Sequence, residues 1–377
     1  MKPNPLLKLQ ALGQSIWIDF IRRGMISSGE LQRLIEQDGV SGVTSNPSIF
    51  EKAITESRDY DEAIRTLISE RKTADEIYLQ LSVEDIQHVA DLLRPVYDQT
   101  TGGDGFISLE VSPGLANDTT GTIEEARRLW SLVERPNVMI KVPATQAGLP
   151  AIRQLTGEGL NINITLLFGL PRYRGVADAY ISGLETLTAS GGDLRQVTSV
   201  ASFFLSRIDV LLDPILEEKK RSGGPQAEQA GRLQGQAAIA SAKVAYQIYQ
   251  EIFESERFKK LAEQGARAQK LLWASTSTKN PAYPDTKYVE PLIGPETINT
   301  VPIETLEAYR DHGNPQRTLD QNVREAYHTL EDLSRIGIDL DAATQRLEEE
   351  GVEKFVGAHD RLIAALREKE KAVEEER

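Results

Sequence analysis

Residues 137–145 read NVMIKVPAT, and Val138, Met139, Ile140 and Val142 give this stretch the short apolar run of an interior strand. Lys141 stands in the middle of it, where an ammonium is costly unless it is paired or loses its proton. Seven further runs share the character: SIWIDF (15–20), GVTSNP (42–47), FISLEVS (106–112), INITLLF (162–168), VTSVASFF (197–204), KLLWAST (270–276) and INTVP (298–302). Helix-period segments separate them, and strand-then-helix alternation predicts a parallel sheet with crossover helices. Eight such units over roughly 300 residues suit a closed (β/α)8 barrel of the TIM type. A doubly wound open sheet is the alternative, but no G-x-G-x-x-G or Walker-type loop follows the first run.

The segments between the runs are uneven. Ser28 precedes the helical GELQRLIEQ, which stops at Gly39, and Thr122 with Glu125 reads as a capping box ahead of IEEARRLWSLVE. Residues 48–105 hold two or three helices before the third strand. An exposed loop, KKRSGGPQ (219–226), leads into a helical run from about Ala227 to Gln264. That run either packs on a partner subunit, as in a homodimer, or covers its own barrel. After residue 302 the chain reads as wholly helical, with Val352, Phe355, Val356, Ile363 and Leu366 at i, i+3, i+4 spacing. The expectation is one barrel domain over 1–377, with 303–377 packed on its exterior and fraying along REKEKAVEEER (367–377).

Of the 377 residues, 40% are hydrophobic and 27% charged, and the absence of cysteine excludes disulfides and thiolate chemistry. Four scattered histidines show no metal-ligand spacing, so no metal is expected. A net charge of −14 argues against nucleic acid and requires a local cationic pocket for any anionic substrate. The only apolar stretch near the N-terminus is short and interrupted by Asp19, and no run is long enough to cross a membrane, so a cytoplasmic protein is expected.

In such barrels the chemistry sits at the C-terminal ends of the strands. Here those ends carry Asp19, then Thr44, Ser45 and Asn46, then Glu110, Lys141, Asn163 with Thr165, Ser202 with Arg207, and Ser275. Each has a plainer reading: Asn46 before Pro47 as a turn, Arg207 as the partner of Asp209, Lys141 as an ion pair with Asp19 or Glu110. The functional reading is amine catalysis. A desolvated lysine attacks a ketone, the Schiff base becomes an electron sink for C–C cleavage, and Asp19 and Glu110 shuttle protons. No cofactor is required.

Several motifs together resemble transaldolase: GVTSNPSIF (42–50), SLEVSPGLANDTTGTIEEARRLW (108–130), NVMIKVPATQAG (137–148), GLNINITLLF (159–168), VASFFLSRID (200–209) and LLWASTSTKNPAY (271–283). The resemblance runs from about residue 10 to 310, and STSTKNPAY is similar to the longer bacterial members. It implies a (β/α)8 barrel with the Schiff-base lysine at Lys141 and Asp19 as the acid–base residue at the bond being broken. Glu110, aided by Thr165, would move protons through a water. Asn46 and Asn163 would hold the dihydroxyacetone hydroxyls, with Thr44 and Ser202 lining the site, and Arg207 and Ser275 would bind phosphate. Lys279 is the nearest cation where shorter members carry a second arginine. Phe204 occupies a position that is tyrosine in fructose-6-phosphate aldolases, which points to transfer over release of free dihydroxyacetone. The implied partners are phosphorylated ketoses and aldoses of the pentose phosphate pathway. The alternatives are such an aldolase and a non-catalytic sugar-phosphate-binding barrel.

Overall fold

The computed structural model describes residues 4–375. Eight strands close a parallel barrel in chain order: β1 (Gln14–Ile18), β2 (Val40–Val43), β3 (Phe106–Glu110), β4 (Val138–Pro143), β5 (Ile162–Leu167), β6 (Ser199–Phe204), β7 (Lys270–Ala274) and β8 (Thr297–Val301). β1 pairs with both β2 and β8, so the sheet has no edge and the open-sheet alternative falls. Every residue of β4 is buried, as its apolar run requires. At β2, Gly42 makes room for the Trp17 indole, since a Cβ there would stand 2.3 Å from the ring.

The register sets the chemistry. Glu110 pairs with Lys141, Lys141 with Asn163, and Pro143 with Thr165. Paired residues on adjacent strands point to the same face of a sheet, so Glu110, Lys141 and Asn163 share one level of the barrel interior. Asp19 lies one residue past β1 and Thr44 to Asn46 lie past β2, on the C-terminal rim.

Some local expectations fail for identifiable reasons. The helix Thr119–Val133 begins ahead of the expected cap, and Asp118 caps it by accepting from Gly121 N. Thr122 donates instead to Leu115 O at 2.9 Å, while Glu125 accepts from Ser112 N at 2.6 Å. The run 227–264 is three helices, Ala227–Leu233, Ala237–Phe253 and Glu256–Ala262. The middle one is largely buried, against the barrel and the helix Val323–Arg335 of the same chain, so the run covers its own barrel. The stretch after residue 302 is not wholly helical, because 313–322 is irregular between the helices Ile303–His312 and Val323–Arg335.

The C-terminal helix, Leu340–Glu375, holds its form through the segment expected to fray, apart from residues 376 and 377, which lie outside the described residues. Buried Phe355, Ala358, Leu362, Ile363 and Leu366 anchor it. Its contacts with the helices Pro47–Thr55, Ala74–Gln99 and Ser206–Arg221 and with β5 lay it along the C-terminal rim. Among the described residues no helix is long and apolar enough to cross a membrane.

Candidate active site

The C-terminal rim encloses a cavity of ≈ 450 Å³, and Lys141, Asp19, Thr44, Asn46, Thr165, Ser202, Phe204, Arg207, Ser275 and Lys279 all line it. Two expected site residues stand behind this lining. Glu110 is not in this lining and stands behind Lys141, 3.1 Å from its Nζ. Asn163 uses its amide within the protein, donating to Ser108 Oγ at 2.9 Å and accepting from Ser202 Oγ at 2.7 Å.

Lys141 is 4% exposed. Its Nζ donates to Ser45 O at 2.9 Å and stands 3.1 Å from Glu110 Oε2, so the ion-pair reading and the nucleophile reading describe the same side chain. Burial pushes the Glu110 carboxyl above its usual range, opposed by the Lys141 charge. Neither Glu110 oxygen has a well-aligned hydrogen-bond donor, and both are buried. Thr165 Oγ1 is likewise buried without a protein partner.

Asp19 hangs from the barrel by its backbone N–H, which donates to Val301 O at 2.9 Å. Thr44 Oγ1 donates to Asp19 Oδ1 at 2.7 Å and lies 2.8 Å from Thr300 Oγ1. Burial raises the Asp19 carboxyl, while the charges of Lys141, Arg207 and Lys279 and the Thr44 hydrogen bond pull it down. Asp19 and Glu110 are therefore two carboxyls with raised proton affinity, each within the field of the Lys141 charge.

Asn46 combines both its readings. Its Oδ1 accepts from Ile49 N at 3.1 Å and caps the helix Pro47–Thr55, with Pro47 in the first turn, and the residue also lines the cavity.

Across the cavity, Arg207 sits in the first turn of the helix Ser206–Arg221. The Phe204 ring lies 5.5 Å from its Cζ, and Nη1 is buried with no hydrogen-bond partner. Asp209 is not its partner; that carboxylate accepts from Ala238 N and Tyr288 Oη, each at 2.9 Å. Burial lowers the Arg207 pKa, countered by Asp19 and Glu350. Ser275 holds a left-handed φ of 54° just past β7, with its Oγ 2.9 Å from Ser206 Oγ. A helix start, the Arg207 guanidinium, hydroxyls and Lys279 together give this side of the cavity the donors and positive charge that suit an anion.

Sequence reading missed several lining residues: Ser48, Lys52, Thr300 and Phe355. Thr300 was legible as a hydroxyl near the end of the eighth run. Phe355 read only as one core position of an amphipathic helix, and exposed Lys52 drew no reading.

A family model described as transaldolase/fructose-6-phosphate aldolase matches residues 16–366. A transaldolase of Thiobacillus denitrificans is 48% identical over 94% of this chain and 97% of its own. One of Trichodesmium erythraeum is 45% identical over 98% and 99%, respectively. A protein named transaldolase 2, from a Nostoc species, is 46% identical over 97% of both chains.

Proposed function

The chain belongs to the transaldolase/fructose-6-phosphate aldolase family, and on that premise we propose that it transfers a dihydroxyacetone unit reversibly between sugar phosphates. Sedoheptulose 7-phosphate and glyceraldehyde 3-phosphate give erythrose 4-phosphate and fructose 6-phosphate, the exchange of the non-oxidative pentose phosphate pathway. One observation carries the reading: a buried Lys141 Nζ, 3.1 Å from Glu110, opens onto the same cavity as Asp19, Arg207 and Lys279.

The steps follow from those positions. Lys141 gives a proton to Glu110 and its neutral amine attacks the ketose C2. Glu110, through a water held with Thr165, returns a proton to the carbinolamine hydroxyl, which leaves as water. The iminium then draws the C3–C4 bonding electrons inward as Asp19 takes the proton from the C4 hydroxyl. The aldose phosphate departs, and a three-carbon enamine stays bonded to Lys141. An incoming aldose phosphate is attacked at its aldehyde carbon, Asp19 protonates the new alkoxide, and water hydrolyses the imine to free the ketose and the amine. Asn46, Thr44 and Ser202 offer hydrogen bonds to the three-carbon unit, while Arg207, Ser275 and Lys279 hold the phosphate. Asn163 acts through Ser202 by orienting its hydroxyl. No cofactor takes part in these steps.

Phe204 brings no phenol to the cavity that could protonate the enamine, which supports transfer to an acceptor over release of free dihydroxyacetone. Its partners are phosphorylated ketoses and aldoses, and its place is the cytoplasm, where such metabolites circulate. A homodimer remains compatible with this chemistry, although the helix Ala237–Phe253 is already covered within the chain.

Borohydride reduction with fructose 6-phosphate should leave a three-carbon adduct on the Lys141 peptide, and Lys141→Ala should lose both adduct and turnover. An unmodified Lys141, or an active alanine variant, would refute the mechanism. Accumulation of free dihydroxyacetone without an aldehyde acceptor would assign the chain to the aldolase branch instead.

A further inference from the structure

The C-terminal helix is not only a cover for the barrel. Phe355, 3% exposed, is the residue of that helix that lines the substrate cavity. Its ring centroid lies 6.0 Å from Arg207 Cζ, while Phe204 stands 5.5 Å from the same atom. The guanidinium is thus held by two aromatic rings supplied by β6 and by the C-terminal helix. One turn earlier, Gly351 permits the close approach. A Cβ at Gly351 would stand 3.0 Å from Leu166 Cδ2 and 3.6 Å from Arg207 Nη1.

We propose that Phe355 is a positioning residue that sets selectivity for phosphorylated substrates, by holding the Arg207 guanidinium in place at the wall of the cavity that it lines. The physical reason is conformational. An arginine side chain has many rotamers, and binding a phosphate through it requires that freedom to be lost. Rings that take up the cation's apolar faces fix the side chain beforehand while leaving its N–H edge for the anion. Among the described residues no carboxylate forms an ion pair with Arg207 to do this, and Asp209 is committed to Tyr288 and Ala238. The inference rests on the sugar-phosphate reading of the cavity and adds to it a residue from a helix remote in sequence.

Phe355→Leu keeps apolar volume and removes the ring, and Phe355→Tyr restores the ring. In the leucine variant KM for fructose 6-phosphate should rise roughly 3- to 30-fold, the range of a cation–π contact, with kcat held. Inorganic phosphate, titrated by calorimetry, should bind more weakly by a similar factor, and the tyrosine variant should recover most of it. Borohydride trapping of unphosphorylated dihydroxyacetone on Lys141 should be unchanged in both variants. Phosphate binding equal to that of the unaltered protein would overturn the proposal, as would a parallel loss of dihydroxyacetone trapping, which would mark a general disturbance of the site. Failure of the unaltered protein to trap dihydroxyacetone would instead refute the Schiff-base reading, leaving the phosphate titration to decide the role of Phe355.

Discussion

Lys141 and Lys243 are both buried, at 4% and 7% exposure, yet their surroundings assign them different work. Lys243 Nζ donates to Thr318 O at 2.7 Å and to Gln321 O at 2.6 Å, and pins the irregular stretch 313–322 against its helix. Burial lowers the Lys243 pKa, so desolvation alone does not make a nucleophile; an amine also needs a cavity to act in. Sequence reading picked out Lys141 because it breaks a strand pattern, whereas Lys243 sits in a helix that tolerates lysine. A third buried charge gives a pH prediction. Burial raises the Asp209 carboxyl to about 6. The folded state then holds a proton there that the unfolded chain has released, so this contribution to stability is full below about pH 4 and is lost as pH rises through about 6. Asp209→Asn should remove that loss. Its urea-unfolding free energy relative to the unaltered protein should improve from pH 4 to pH 8 by up to about 3 kcal/mol, and a constant difference would refute the assignment.

At the scale of elements, the helix Pro47–Thr55 shows why two readings of one residue need not compete. Asn46 caps the helix with Oδ1, and the residue lines the cavity. Asn46→Ser should keep the cap and the thermal midpoint while lowering kcat/KM roughly 3- to 10-fold, the worth of one neutral hydrogen bond. Asn46→Ala should lose about 1 kcal/mol of stability as well. Equal stability of the two variants would show that the cap is not what Asn46 contributes. The misplaced cap of the helix Thr119–Val133 teaches the converse. DTTGTIEE holds more than one capping pattern, and the choice between Asp118 and Thr122 rests on the turn Pro113–Leu115, which brings Leu115 O to the Thr122 hydroxyl. Overlapping local motifs are resolved by what packs beside them. The C-terminal helix makes the same point, since its apolar periodicity was legible and the target of Phe355 was not.

Over the whole molecule the barrel divides its labour between its ends. At the N-terminal end, Asp104 accepts from Trp17 Nε1 at 2.8 Å, Ser41 Oγ at 2.8 Å, Ser15 Oγ at 2.5 Å and Gly105 N at 2.9 Å. Asp104→Ala strands these donors and should cost about 3–5 kcal/mol, with kcat and KM unchanged below its melting temperature. A loss of turnover in folded protein would show that the two ends are coupled. The chain's net charge of −14 repels phosphate at long range, and the rim answers locally with Arg207 and Lys279.

The eightfold alternation of apolar runs and helix-period segments was enough to predict the barrel, and Lys141 was visible as the residue that broke its run, because periodicity and burial cost are properties of short segments. The tertiary structure decided which groups meet. It set Glu110 against Lys141, withdrew Asn163 behind Ser202, gave Asp209 to Tyr288, and brought Phe355 over Arg207. Those choices depend on register, closure and helix packing between segments far apart in the chain, which no local pattern encodes.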